Sequence, residues 1–254
     1  MMDEFDYIII GAGSAGSVLA NRLTAADATV CLLEAGPRDR NPFIHIPAGF
    51  IKTLTNPRVN WLFQTEPGEG TAGRPIATPR GKTLGGSSSI NGHIYNRGQR
   101  LDFDTWAQMG NRGWSFADVL PYFQRSERRI GDGDDAYRGR DGELVVTDTD
   151  RPDPICDAFI EGVASLGIPR SADYNGAVQE GVGYFQRTIH KGRRMSAARA
   201  FLAPARGRPN LDIRTEASVS RILFDGKRAS GVRYTRNGAV QDVSARREVL
   251  LCGG

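Results

Sequence analysis

Gly11-Ala-Gly13-Ser-Ala-Gly16 is spaced to lay backbone N–H groups against a pyrophosphate at the start of a helix. In such a turn the first glycine lets the chain reverse, the second admits the phosphates, and the third lets helix pack on strand. Glu34 follows at close to the separation, about 20 residues, at which an acid accepts hydrogen bonds from the adenosine ribose hydroxyls. A carboxylate there would repel a 2′-phosphate, which argues against NADP. These residues predict dinucleotide binding and leave FAD and NAD both open.

Other near-matches fail on a required residue. Gly81-Lys82-Thr83 imitates the end of a P-loop, but the earlier glycine would fall at Ile76. Ala12-Gly13-Ser14-Ala15-Gly16 resembles a nucleophile elbow with Ala for its first glycine, and the dinucleotide turn already accounts for it. Asp132, Asp134 and Glu143 have part of the spacing of a calcium loop, yet Tyr137 stands at its glycine and Ala136 at a ligand position. Cys31, Cys156 and Cys252, with His45, His93 and His190, show no zinc-ligand spacing and no disulfide framework. No metal ligand and no catalytic residue is assigned.

The elements that must position the turn are legible around it. Phe5 to Ile10 reads as a buried strand, Ser14 to Leu23 as a helix with apolar Val18, Leu19 and Leu23, and Thr29 to Leu33 as a second buried strand. A strand, turn, helix, strand unit of this kind belongs to an α/β fold with a parallel sheet covered on both faces. From Gly36 to Pro79 the chain is irregular and proline-rich, as in an ordered loop that covers a ligand. Asp102 to Arg128 reads as two helical pieces broken near Gly110 to Trp114, Glu143 to Thr147 as a strand, Asp153 to Leu166 as an amphipathic helix and Arg194 to Leu202 as a shorter one. Beyond Pro209, strands are separated by hairpin signals at Asp225-Gly226 and Asn237-Gly238.

Composition sets the outer bounds. The 254 residues, 39% apolar and 24% charged with 31 Gly and 13 Pro, suit a globular protein with a proper core. A net charge of +4 with no basic stripe interleaved with aromatics gives no reason to expect a nucleic-acid partner. No apolar run approaches the roughly 18 residues of a membrane span. The acidic start, Met-Met-Asp-Glu-Phe-Asp, is unlike a secretory or transit peptide and predicts a bacterial-type cytoplasmic protein, with peripheral attachment at the inner membrane left open. The end, Arg247 to Gly254, is an apolar strand running into paired glycines; it reads as a truncated chain, with a last strand left uncovered and weak stability as the expected result.

Pro79-Arg-Gly-Lys-Thr-Leu-Gly-Gly-Ser-Ser-Ser-Ile-Asn-Gly-His-Ile-Tyr-Asn-Arg-Gly98 is a loop of small and hydroxyl residues whose backbone could lie against a flat ring or phosphates. On this stretch the sequence resembles the glucose-methanol-choline (GMC) family of FAD-dependent oxidoreductases. The resemblance runs on through Asn60-Trp61 to Glu66-Pro67, Asp102-Phe-Asp104 to Trp106, Gly113-Trp114 to Pro121-Tyr122-Phe123, Gly181-Val-Gly183, and Ser196-Ala-Ala-Arg199 to Pro209-Asn-Leu211. Within the family it looks most like bacterial alcohol and choline dehydrogenases that pass electrons to an acceptor.

The resemblance implies a Rossmann-like α/β fold: an FAD-binding domain with a parallel sheet, helices and a β-meander, joined to the beginning of an α+β substrate domain. The corresponding spans are 1–150 for the first part of the FAD domain, 151–203 for a partial substrate domain and 204–254 for the return to the FAD domain. Gly11, Gly13, Ser14, Ala15 and Gly16 would hold the FAD pyrophosphate, Glu34 the ribose and Val219 the adenine through its backbone, with Ala35 a further cofactor-binding residue. Leu84, Asn91, Gly92, His93 and Ile94 would border the flavin. Ile90 stands where some members carry a histidine bonded covalently to FAD, so non-covalent FAD is expected. The implied activity is oxidation of a primary alcohol to an aldehyde, a histidine base taking the hydroxyl proton while hydride passes from the alcohol carbon to flavin N5. That histidine and its partner belong to a C-terminal half absent from these residues. Choline oxidation and a flavin-binding but non-catalytic fragment are the alternatives. The acceptor, whether a quinone, a cytochrome or oxygen, is not indicated.

Overall fold

Tyr7-Ile-Ile-Ile10 offers almost nothing polar to leave in water on either face, and it forms the inner half of strand β1 (Asp3–Ile10) with Ile8 and Ile9 fully buried on opposite sides. The computed structural model describes residues 3–254. The turn at Gly11 leads into helix α1 (Ser14–Ala25), and strand β2 (Val30–Leu33) follows with every residue buried. Four more strands come late in the chain: β3 (Leu211–Arg214), β4 (Ala217–Asp225), β5 (Arg228–Arg236) and β6 (Ala239–Leu251).

These six strands form one sheet in the order β4-β5-β6-β1-β2-β3. β6, β1, β2 and β3 run parallel, with Ile8 beside both Cys31 and Val249. β4, β5 and β6 form an antiparallel meander. Its second turn is Asn237-Gly238, both at positive φ (52° and 76°), as a two-residue hairpin that follows the strand twist requires. The sheet with helices and a meander is the α/β fold expected from the sequence. The last strand lies inside the sheet: β6 has β5 on one side and β1 on the other, and the edges are β3 and β4. Its 13 residues are long enough for the same strand to serve both the meander and the parallel core.

Alternation along β1 and β2 splits the core in two. Ile9, Val30 and Leu32 pack with Ala20, Leu84, Ala198 and Leu202 on one face. Ile8, Cys31 and Leu33 pack with Ala217, Val232, Tyr234 and Val243 on the other. Full burial of each large aliphatic side chain contributes about 1.5–3 kcal/mol. α1 buries small and polar residues most fully against the sheet, while Leu19 and Leu23, half-buried, pack against the margin of the same cluster. Its buried positions are Gly16, Ser17, Ala20, Asn21 and Thr24. Asn21 is accommodated because its amide donates to Phe201 O (2.8 Å), and Thr24 because its hydroxyl donates to Ala20 O (2.7 Å). Phe201 lies in a wide π-helical turn, Ala198–Leu202; the helix expected from Arg194 thus begins later, and Arg194 is extended.

The residues up to Gly92 and Gly192–Gly254 make one compact unit, and His93–Lys191 make a second. The second unit contains helices Arg100–Gln108, Phe116–Ser126 and Pro154–Ser165 and a parallel strand pair, Glu127–Ile130 with Leu144–Thr147. A buried ion cluster explains why residues 93–148 belong with 173–186. The Glu127 carboxylate, fully buried, takes ion pairs from both Arg97 and Arg138, and Arg138 reaches on to Asp173 (2.5 Å) and Gln186 (2.8 Å). Arg97 N donates to Asn175 Oδ1 (2.8 Å), closing the link. Among the described residues no helix is long and apolar enough to cross a membrane.

Two outcomes follow from these contacts. Glu127→Gln leaves the buried Arg97 without a counter-ion and Arg138 with Asp173 alone, and is expected to destabilise the chain by about 3–5 kcal/mol in urea unfolding. In the first unit, Asp6 accepts from Thr29 N, from the Thr29 hydroxyl and from Arg246, which holds its carboxyl well below the usual carboxylate range. A lowered folded pKa contributes stability that is present above the unfolded value and lost as pH falls. The stability advantage of the wild type over Asp6→Asn should therefore shrink as pH drops below about 4, read as the difference between their thermal midpoints.

Candidate functional site

The register that sets Ile10 beside Leu33 brings the residues just beyond both strands, the Gly11 turn and Glu34, side by side. Glu34 is buried, and both carboxylate oxygens are used: Oε2 accepts from Ala12 N and Oε1 from Gly36 N, each at 2.9 Å. Burial raises its pKa, and the two backbone donors oppose that rise. Ala12 O in turn accepts from Gly85 N (2.8 Å) and the Ser17 hydroxyl (3.0 Å). The turn is thereby clamped between Glu34, α1 and the Pro79–Gly98 loop.

The fingerprint glycines have different reasons to lack a side chain. Gly11 has φ +96°, and a Cβ there would lie 2.6 Å from Cys252 O. A Cβ on Gly16 would stand 2.0 Å from Gly11 O, so that glycine sets the closeness of helix to strand. Gly13 differs: its φ is −73°, open to any residue, and the nearest atom to an added Cβ is Gly86 Cα at 4.0 Å. Neither backbone nor packing asks for glycine at 13, and the free space lies on a cavity of about 810 Å³.

Gly11, Gly13, Ser14, Ala15, Glu34, Ala35 and Val219 all line this cavity. α1 starts there with Gly13 as a cap that offers no side-chain acceptor, so its first N–H groups remain available to a ligand. Gly16 lies behind the turn. Leu84 is fully buried in the core, and Asn91 and Gly92 are exposed. His93 and Ile94 open the second unit: His93 is buried at φ +66° with its carbonyl accepting from Thr188 N (2.8 Å), and Ile94 is half exposed and bridged to Arg187. Ile90 packs with Ile44 and Val59.

The cavity also gathers residues that the fingerprint does not announce. Trp61 and Phe63 stack at 5.7 Å with planes 7° apart, and both line it, as do Arg80, Gly86 and Ser87. Lys82 Nζ lies 4.5 Å from the centre of the Trp61 ring. The aromatic pair comes from a short hairpin, Phe63–Gln64 with Ala77–Thr78, inside the irregular proline-rich stretch. Only the Asn60-Trp61 signal in the sequence pointed there. Helix-start N–H groups, a nearby guanidinium, a buried carboxylate and flat apolar walls suit a ligand that is anionic in one part and planar in another. The lining contains no nucleophile paired with a base.

Comparison with known proteins agrees with this geometry. The pattern of the family described as GMC oxidoreductase matches residues 5–254. The chain is 45% identical to the mitochondrial choline dehydrogenase of Homo sapiens over 99% of its own length and 44% of that protein's. It is 46% identical to an alcohol dehydrogenase [acceptor] of Pseudomonas putida, with 94% and 44% covered. With an oxygen-dependent choline dehydrogenase of Ectopseudomonas mendocina the identity is 50%, with 100% and 46% covered. The crystal structure of pyridoxine 4-oxidase from Mesorbium loti superposes with a TM-score of 0.92 at 37% identity, over 98% of this chain and 49% of that one. The chain thus spans less than half the length of each of these proteins, and it belongs to the GMC oxidoreductase family.

Proposed function

We propose that this chain supplies the FAD-binding part of an oxidoreductase that converts a primary alcohol to an aldehyde. The observation that carries the reading is the open space at Gly13, beside the uncapped start of α1, on a cavity with Glu34 at its side. A diphosphate fits such a cradle, because the N–H groups and the helix dipole favour negative charge there. Glu34 spends one lone pair of each oxygen on Ala12 and Gly36 and retains others for ribose hydroxyls. The backbone at Ala217 to Val219 and the Trp61–Phe63 pair offer flat contacts for the rings.

When bound, the flavin supplies the hydride acceptor for the alcohol carbon. The residues of this chain bind and orient it, and none of them is assigned as the base for the alcohol proton. Leu84, buried in the core, would approach the flavin through its backbone; Asn91, Gly92, His93 and Ile94 are assigned to the same side. The isoleucine at 90, packed in an apolar cluster, offers no nucleophile and supports non-covalent attachment. We assign the first compact unit to the cofactor and the second to the beginning of the part that holds the substrate. Choline is the second candidate substrate, favoured by the names of relatives at 45–50% identity.

The decisive measurement is the absorption spectrum of the purified chain before and after acid precipitation. A flavin band, with FAD released to the supernatant, is the expected result; flavin kept in the pellet would refute the non-covalent reading, and failure to bind added FAD would refute cofactor binding by this chain. Gly13→Val, whose backbone is unstrained, should weaken FAD binding at least about tenfold by filling the phosphate cradle, while far-ultraviolet circular dichroism stays that of the wild type. Glu34 adds a pH signature. Its folded pKa is raised, so the associated stability is present below the unfolded value, about 4.3, and lost as pH rises through the folded one. The thermal midpoint of the wild type should fall relative to that of Glu34→Gln across that window.

A further inference from the structure

Arg194 is the notable buried charge of the first unit. Its side chain is 1% exposed, and its Nε donates to Ile44 O (2.8 Å) while Nη1 donates to Ser88 O (3.1 Å) and Asn91 Oδ1 (2.6 Å). Nη2 is buried without a hydrogen-bond partner among the described residues. Burial lowers the pKa to about 10, with no carboxylate to offset it. A guanidinium withdrawn from water without a counter-ion is a poor source of stability. What it holds therefore matters more than what it adds to the core.

It holds the loop that presses on the fingerprint turn. Ser88 is gripped twice, its carbonyl by Arg194 and its hydroxyl oxygen by Ala197 N (2.9 Å), and that hydroxyl donates on to Gly85 O (2.5 Å). Gly85 N is the donor that reaches Ala12 O, and Gly86 and Ser87 line the cavity. The planar fork of arginine serves Ile44, Ser88 and Asn91 together, which the single ammonium of lysine cannot do with the same geometry.

We propose that Arg194 is a positioning residue for the cofactor: its guanidinium fixes the Gly86–Ser89 turn and the Asn91 side chain in the shape that receives FAD. The proposal rests on the FAD reading for its ligand, but the loop shape can be measured without any ligand. Amides of Gly85, Gly86, Ile90 and Asn91 all donate within the structure, so they have hydrogen-exchange protection to lose.

The test compares the wild-type chain with Arg194→Lys, Arg194→Met and Asn91→Ala. Without FAD, exchange at Gly85 to Asn91 should quicken at least tenfold in both Arg194 variants while β1 and β2 amides keep wild-type rates. With FAD, all three variants should bind at least tenfold more weakly or give an altered visible circular dichroism of the bound flavin, a signature that a purely structural role would leave alone. Wild-type exchange in the loop of both Arg194 variants overturns the proposal, as does full recovery of FAD binding and spectrum by lysine, which would leave only charge at work. Should the Arg194 variants lose protection in β1 and β2 as well, Asn91→Ala decides: wild-type FAD binding and spectrum there overturn the proposal, and the altered ones support it. A wild-type chain that takes up no FAD would sink the cofactor reading, and the exchange rates alone would then decide whether Arg194 positions the loop.

Discussion

The first unit depends on how closely two stretches of backbone can approach at the Gly11 turn. A Cβ on Gly86 would come within 2.8 Å of Gly13 Cα, one on Gly81 within 2.1 Å of Gly86 O, and one on Gly36 within 1.9 Å of Lys82 O. The fingerprint turn, the end of β2 and the Pro79–Gly98 loop are therefore stacked backbone on backbone, with no side chains to space them. Such contact is stable only if the polar groups brought together are satisfied. They are: Gly85 N meets Ala12 O, Ala12 N meets Glu34, and the Thr83 hydroxyl meets Pro37 O. The register of β1 on β2 underlies all of this, since a slip of one residue would turn the Glu34 side chain to the opposite face of the sheet.

Buried charge is handled in two ways, by ion pairing in the Glu127 cluster of the second unit and, in the first unit, at Arg214 with Asp3 and Asp212, and without it at Arg194. In the second unit Glu127 lies between Arg97 and Arg138, with Asp173 beyond, so that cations and anions alternate through the cluster. Alternation keeps the desolvation cost bearable and joins stretches distant in sequence. In the first unit Arg194 has backbone carbonyls and an amide oxygen as partners and, among the described residues, no anion. Carbonyl dipoles solvate a guanidinium only in part, which leaves Nη2 unsatisfied. The paired cluster is an architectural solution, whereas the unpaired cation is tied to the loop beside the cavity.

Much of this was legible in the sequence, for reasons that can be named. Apolar runs such as Tyr7 to Ile10 have one way to be buried, and the hairpin dipeptide at Asn237-Gly238 has one kind of turn to make, so β1, β2 and the meander were visible. The glycine fingerprint and Glu34 were visible because their spacing reflects the ligand they suit. What was not visible depends on contacts between distant residues. The wide turn at Ala198–Leu202 follows from packing on α1, whose most deeply buried positions, Ser17, Asn21 and Thr24 among them, are polar and carry no periodic apolar signal. The division at 93 and 191 follows from ion pairs that join Arg97 and Arg138 to partners 30 and 35 residues away. The Trp61–Phe63 wall arises at a pair of strands of two residues each, too short to leave a periodic signal.

With the ribose role proposed for Glu34, structural and ligand-binding roles need not compete for one side chain. A carboxylate has about four acceptor positions, and the protein uses one on each oxygen. Those two bonds fix the orientation of the group, so that the remaining lone pairs are presented without further loss of side-chain freedom. Burial raises the free energy of the unliganded carboxylate, and each hydroxyl donor that arrives lowers it again. The same burial that costs stability in the empty cavity therefore strengthens a hydrogen bond made there. An exposed acid at the same place would bond water equally well and would gain little from a ribose.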